Sequence, residues 1–148
     1  MKTISFGKSG LQVPTLALGC MRLSRLSDSE VERYVRRALD LGANFFDHAD
    51  IYGGGKCEEI FGRAVAGVPR GRLLIQSKCA HRAGQVLRLS KEHILGSVDG
   101  IPKGLNTIRR AAVLSRRADG AGGGGRDVCC LKASDKVLHF GVSNQNSM

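Results

Sequence analysis

The chain has 148 residues, 42% of them apolar and 24% charged, with a formal net charge of +10. That length suits one ordinary domain, and the apolar share excludes wholesale disorder. No run approaches the roughly 18 apolar residues of a membrane span, and the opening MKTISFGKSG lacks a secretory leader's apolar stretch, so a cytosolic address and no membrane partner are expected.

In chain order, two short apolar runs flank Lys8, Ser9 and Gly10, a turn-forming triplet at hairpin spacing, and a strand is predicted at Leu16 to Gly19. Ser27 and Glu30 stand in capping-box spacing, each able to satisfy a free N–H at a helix start. Val31, Tyr34, Val35, Ala38 and Leu39 then recur on one helical face until Gly42 supplies a left-handed end. A strand at Asn44 to Asp47, a glycine-bearing loop, a helix over Glu58 to Ala66 and a strand at Leu73 to Ser77 follow, with Pro69 and Gly71 marking the turn between the last two.

Ser90 caps a further predicted helix, which Gly96, Gly100, Pro102 and Gly104 weaken by about 1 kcal/mol for each glycine and about 3 for an interior proline. From 107 to 130 the pattern collapses into an Arg- and Gly-rich, low-complexity stretch that reads as loop, and a strand returns at Val137 to Val142. Alternating strands and helices indicate parallel α/β architecture.

The chemistry concentrates in FDHADIYGGG and the strand that follows it. Asp47 ends one strand, Tyr52 lies in the next loop and Lys78 ends the following strand, which in a parallel barrel is the active-site side. A tyrosine beside an ammonium and a carboxylate suits general acid chemistry, because the cation favours the phenolate of a group that ordinarily titrates near ~10. Singly, each has a plain structural alternative: Asp47 could cap the loop, Tyr52 could pack against the barrel, and Lys78 could be a solvated strand end.

The segments LALGCMRL, FFDHADIYGGG with CEEIFGRAV, LLIQSK and FGVSN together resemble the aldo-keto reductases, over about residues 1 to 105 and 131 to 148 and most closely their bacterial general oxidoreductase members. The resemblance implies a partial (β/α)8 TIM barrel of about five of eight strands behind an N-terminal β-hairpin, in one truncated domain over 1–148. It implies NADPH-dependent reduction of an aldehyde or ketone, with Tyr52 as proton donor, Lys78 tuning it and Asp47 paired with Lys78. Gly19, Cys20, Met21 and Asp47 would lie near the cofactor, and Ser143 and Asn144 would hydrogen-bond the nicotinamide carboxamide. The partner would be a small carbonyl compound, with no resident metal.

The departures from the family pattern bear on activity. VLSRRAD occupies the strand that carries the family's catalytic histidine, which places Arg116 there, and an arginine is always cationic and cannot act as a neutral imidazole donor. The family's last three strands and 2′-phosphate-gripping loop have no counterpart here, whereas a closed barrel takes about 250 residues. A shifted reading frame over 107–130 is the hypothesis that accounts for both the Arg/Gly/Ala enrichment and the return of family-like sequence near Leu131.

Weaker signals carry less. Gly120, Gly122 and Gly125 match a Gly-x-Gly-x-x-Gly pattern without the strand, helix and acidic residue that give it meaning. The arginines between Arg109 and Arg126 could meet nucleic acid but lack interleaved aromatics, so no nucleic-acid partner is expected. The four histidines and five cysteines show no metal-ligand or Cys-x-x-Cys spacing. Three readings therefore stand in order: an impaired reductase, a non-catalytic fragment of one, and a basic nucleic-acid-binding protein.

Overall fold

The computed structural model describes residues 1–79, 111–114 and 139–142. Strands β1 (Thr3–Ser5) and β2 (Gln12–Pro14) form the expected antiparallel hairpin, with Thr3 opposite Pro14 and Ser5 opposite Gln12. Its turn is closed by Ser9, whose hydroxyl donates to the Phe6 carbonyl at 2.6 Å and accepts from the Leu11 N–H at 3.1 Å.

A parallel sheet follows: β3 (Leu18–Gly19), β4 (Phe45–Asp47), β5 (Leu74–Cys79), β6 (Ala111–Leu114) and β7 (His139–Val142), side by side in chain order. Such an order is how a (β/α)8 barrel winds, whereas a doubly wound sheet would reverse direction at a switch point. Among the described residues the sheet is open, with β3 and β7 at its two edges.

Several elements differ from expectation, β4 and β5 by only a residue or two at their ends. The strand predicted over Leu16 to Gly19 is confined to Leu18–Gly19, and Leu16 is half exposed. The stretch from 107 to 130, which its own pattern reads as loop although the family resemblance sets a strand at VLSRRAD, contributes β6 over Ala111–Leu114, paired with both β5 and β7. Its sequence AAVL does not alternate, but a parallel strand flanked on both sides reads as a short continuous apolar run rather than a period of two. The helix expected after Ser90 lies outside the described residues.

Helix α1 (Asp28–Asp40) begins with the predicted capping box: the Ser27 hydroxyl accepts from the Glu30 N–H at 3.3 Å, and the Ser27 N–H donates to the Glu30 carboxylate at 2.8 Å. Val31, Val35 and Ala38 are buried on its inner face, with Tyr34 and Leu39 at the margin of the same cluster. Helix α2 (Lys56–Ala64) starts two residues before the expected Glu58, because Gly55, at φ 94°, turns the chain directly into it.

Both helices pack on one side of the sheet. Phe46, Leu73 and Ile75 meet Val31, Val35, Phe61 and Val65 there, and the Phe46 and Phe61 rings are 4.9 Å apart. Arg63 of α2 grips both carboxylate oxygens of Asp28 of α1, at 2.8 and 3.1 Å. Phe45, next to Phe46 and therefore on the opposite face of β4, packs edge-on against Phe6 of the hairpin at 5.5 Å. The hairpin thus covers the base of the inner face and leaves its polar residues to the other end.

Candidate active site

The parallel register brings the carboxyl ends of β3, β4 and β5 together, with Gly19 opposite Asp47 and Asp47 opposite Gln76. Backbone hydrogen bonds carry the ladder past the strand ends: Cys20 N–H to Asp47 O at 2.9 Å, His48 N–H to Gln76 O at 2.7 Å and Asp50 N–H to Lys78 O at 3.0 Å. The loops leaving β3 and β4 therefore start from fixed positions.

Alternation along β5 decides which side chains reach this end. Ile75 and Ser77 are buried toward the helices, where the Ser77 hydroxyl donates to Glu58 of α2 at 2.5 Å. Gln76 and Lys78 point to the other face. Lys78 Nζ donates to Asp47 Oδ1 at 2.5 Å and to the His48 carbonyl at 2.8 Å. Gln76 Nε2 donates to the same Asp47 oxygen at 2.7 Å. The side chains of Lys78 and Asp47 are 17% and 24% exposed, which makes this a sheltered but water-accessible pair.

Tyr52 meets this pair through its ring: the Lys78 ammonium lies 5.4 Å from the ring centroid, within reach of a cation–π attraction. The tyrosine opens a short turn, Tyr52–Gly55, with Gly53 and Gly54 in left-handed backbone, anchored by the Tyr52 N–H on the Ala49 carbonyl at 3.0 Å. Gly53, at φ 60°, is seated so closely on the preceding loop that a β-carbon there would come within 2.9 Å of the Ser24 hydroxyl oxygen. A side chain at this position would push the tyrosine-bearing turn away from its support. Tyr52, partly buried, also packs against the core cluster, so the packing role open from sequence and the site position coexist.

Asp47, Tyr52 and Lys78, singled out from sequence, thus come together. A β-carbon at Gly19 would meet no atom within 4 Å, so the surface beside Asp47 is open there. Cys20 follows differently: its side chain is fully buried, its thiol donates to the Leu18 carbonyl at 3.4 Å, and burial, followed by the Asp47 charge, pushes that thiol far up. It is a neutral core residue that presents only backbone to the site. Met21 is exposed. Ser143, Asn144 and Arg116 lie outside the described residues. His48 is buried on the helix side, 4.5 Å from the Phe61 ring.

Gln76 was missed by sequence reasoning. The signal was present: a polar residue inside the apolar run LLIQSK, two positions before Lys78 and so on the same face of the strand. Among the described residues no cluster of His, Cys, Asp and Glu could hold a metal ion, and no helix is long and apolar enough to cross a membrane.

Residues 15–115 match the model of the Aldo/keto reductase family. An uncharacterized oxidoreductase of Bacillus subtilis, YcsN, is 36% identical over an alignment of 151 positions, gaps included, that covers 90% of this chain and 50% of that protein. Among solved structures, the holo form of an aldo-keto reductase from Bacillus halodurans superposes with a TM-score of 0.85 at 26% identity, over 97% of this chain and 50% of that one. An aldo/keto reductase of Klebsiella pneumoniae in complex with NADP and acetate gives a TM-score of 0.78 at 26% identity, over 99% and 50%. The chain spans about half the length of the curated relatives it matches.

Proposed function

Because the chain belongs to the aldo/keto reductase family of oxidoreductases, we propose that the Asp47–Lys78–Tyr52 cluster is the proton-delivering half of a carbonyl reductase site using NADPH. The observation that carries this reading is the convergence of an ammonium, its carboxylate partner and a phenol at the carboxyl ends of adjacent parallel strands. That end of a (β/α)8 sheet is where active sites form.

The residues present fit the nicotinamide end of the cofactor. Gly19 leaves an open wall beside Asp47 where a planar ring can approach backbone, and Ser143 and Asn144, directly after β7, are the residues proposed to hold its carboxamide. NADPH, when bound, supplies a hydride to the carbonyl carbon. The phenol of Tyr52 gives its proton to the carbonyl oxygen, so that C=O becomes CH–OH, and the tyrosine later regains a proton from water. The Lys78 ammonium stabilises the negative charge that develops on the tyrosine, and Asp47 fixes the ammonium in place by accepting its hydrogen bond. The partner is a small aldehyde or ketone, and the compartment the cytosol.

One observation favours a second reading, a family member without turnover: Arg116 stands where the family pattern has a histidine. Oxidation of NADPH by the purified chain with a reactive aromatic aldehyde separates the two. Turnover that falls by about 10²-fold or more in Tyr52→Phe supports the reductase. No turnover by folded wild-type chain supports the non-catalytic member.

A further inference from the structure

We infer that Gln76 is a positioning residue for the proposed reaction, one that holds the Asp47 carboxylate so that Asp47 in turn holds Lys78. The inference rests on the reductase reading for its effect on turnover, but its geometry stands apart from that reading.

Asp47 Oδ1 receives two donors at once, Lys78 Nζ at 2.5 Å and Gln76 Nε2 at 2.7 Å. An ionised carboxylate can only accept, so the amide must turn its NH₂ and not its carbonyl toward Asp47, and the orientation of Gln76 is fixed by its partner. The two donors come from alternate positions of one strand, and the acceptor comes from the residue directly opposite Gln76 on the neighbouring strand. This arrangement confines the carboxylate from two directions. A carboxylate held by Lys78 alone can swing about its side-chain torsions and weaken its hold on the ammonium; one pinned as well by an amide on a rigid strand cannot. The ammonium must stay over the Tyr52 ring, 5.4 Å from its centroid, to act there; the His48 carbonyl at 2.8 Å is one of its two anchors, and Gln76 fixes the other, the Asp47 carboxylate.

The same strand explains why the pin is rigid. On its other face Ser77 is bonded to Glu58 and Ile75 is locked in the core, so β5 cannot turn to present residues 76 and 78 differently. Gln76 is partly exposed, and replacing it leaves that core untouched.

Two variants of the full chain test the inference, each with two readouts. Gln76→Met keeps the length of the side chain and removes the donor. It should lower kcat about tenfold while moving the carbonyl KM less than about threefold, and nitrogen NMR should show the Lys78 ammonium losing its ordered signal. Gln76→Glu places a carboxyl against Asp47, where Lys78, Tyr52 and the buried Cys20 thiol are ionisable groups that the described residues bring to the pair. Two carboxyls sharing a site retain a proton to higher pH than one alone, and the protonated form can donate where the amide did. Turnover of Gln76→Glu, relative to wild type, should therefore recover as the pH falls.

A Gln76→Met protein whose kcat and Lys78 ammonium signal both stay within twofold of wild type would overturn the inference. If the wild type itself turns nothing over, the reductase reading fails and the NMR comparison alone decides whether Gln76 positions Lys78.

Discussion

On the helix-facing side of β5, Ile75 and Ser77 are almost completely buried and serve the packing of α1 and α2; on the opposite side of the same strand, Gln76 and Lys78 are partly exposed and converge on Asp47. The first side is held by apolar area, which is non-directional and tolerates small shifts. The second is held by three polar groups whose value depends on direction and distance. Substitutions on the two sides should therefore separate: those toward the helices cost stability first, and those toward the strand ends cost chemistry first.

The largest expected effect is on the helix side. Phe61 is fully buried against Phe46 and His48, the two neighbours of Asp47 in the chain. Phe61→Ala should cost about 3–5 kcal/mol of unfolding free energy in a urea titration. A loss below about 1 kcal/mol would mean that the packing of α2 on the sheet is not what holds β4 in place.

Gly53→Ala lies on the boundary between the two sides. The alanine would have to adopt a left-handed φ and its β-carbon would press on Ser24, which together should cost about 1–2 kcal/mol. Because this turn carries Tyr52, turnover should fall by more than the stability loss explains. Equal stability and turnover would contradict the close seating of the turn on the preceding loop.

The smallest effect belongs to the surface tie between the helices. The Arg63 hydrogen bond holds the Asp28 carboxyl below its ordinary range. A carboxyl lowered by folding contributes stability that is present above its unfolded value, near ~4, and lost as the pH falls through its folded value. Asp28→Asn should therefore lower the melting temperature slightly at pH about 7 and match wild type at pH about 2. A difference that persists in acid would show that the bridge is not its source.

Much of the fold was legible because its local signals agree. The Ser27–Glu30 box, the i, i+3, i+4 apolar face of α1 and the Lys8–Gly10 turn each depend on neighbours a few residues away. The strands were legible in place but not in extent, since their ends are set by pairing: Leu16 is apolar yet lies outside the strand because β4 pairs only Leu18 and Gly19. β6 was hidden from periodicity by its arginine-rich surroundings; family likeness set a strand near VLSRRAD, and partners on both sides give AAVL its bounds.

The site divides in the same way. Asp47, Tyr52 and Lys78 could be assembled from their positions at strand ends and from family likeness. The role of Gln76 could not, because it requires knowing that position 47 faces position 76 across 29 residues of sequence. Cys20 shows the converse: its place in the chain beside Gly19 puts it near the site, while its side chain turns into the core.

Whether the Asp47–Lys78–Tyr52 cluster completes the proposed hydride reduction is decided by NADPH carrying deuterium at the transferable position of the nicotinamide. The folded chain should convert an aromatic aldehyde to an alcohol with one deuterium on the former carbonyl carbon, and Tyr52→Phe should leave the aldehyde unreduced. An alcohol without deuterium, or equal deuterium transfer by wild type and Tyr52→Phe, would rule out hydride reduction with Tyr52 as the proton donor.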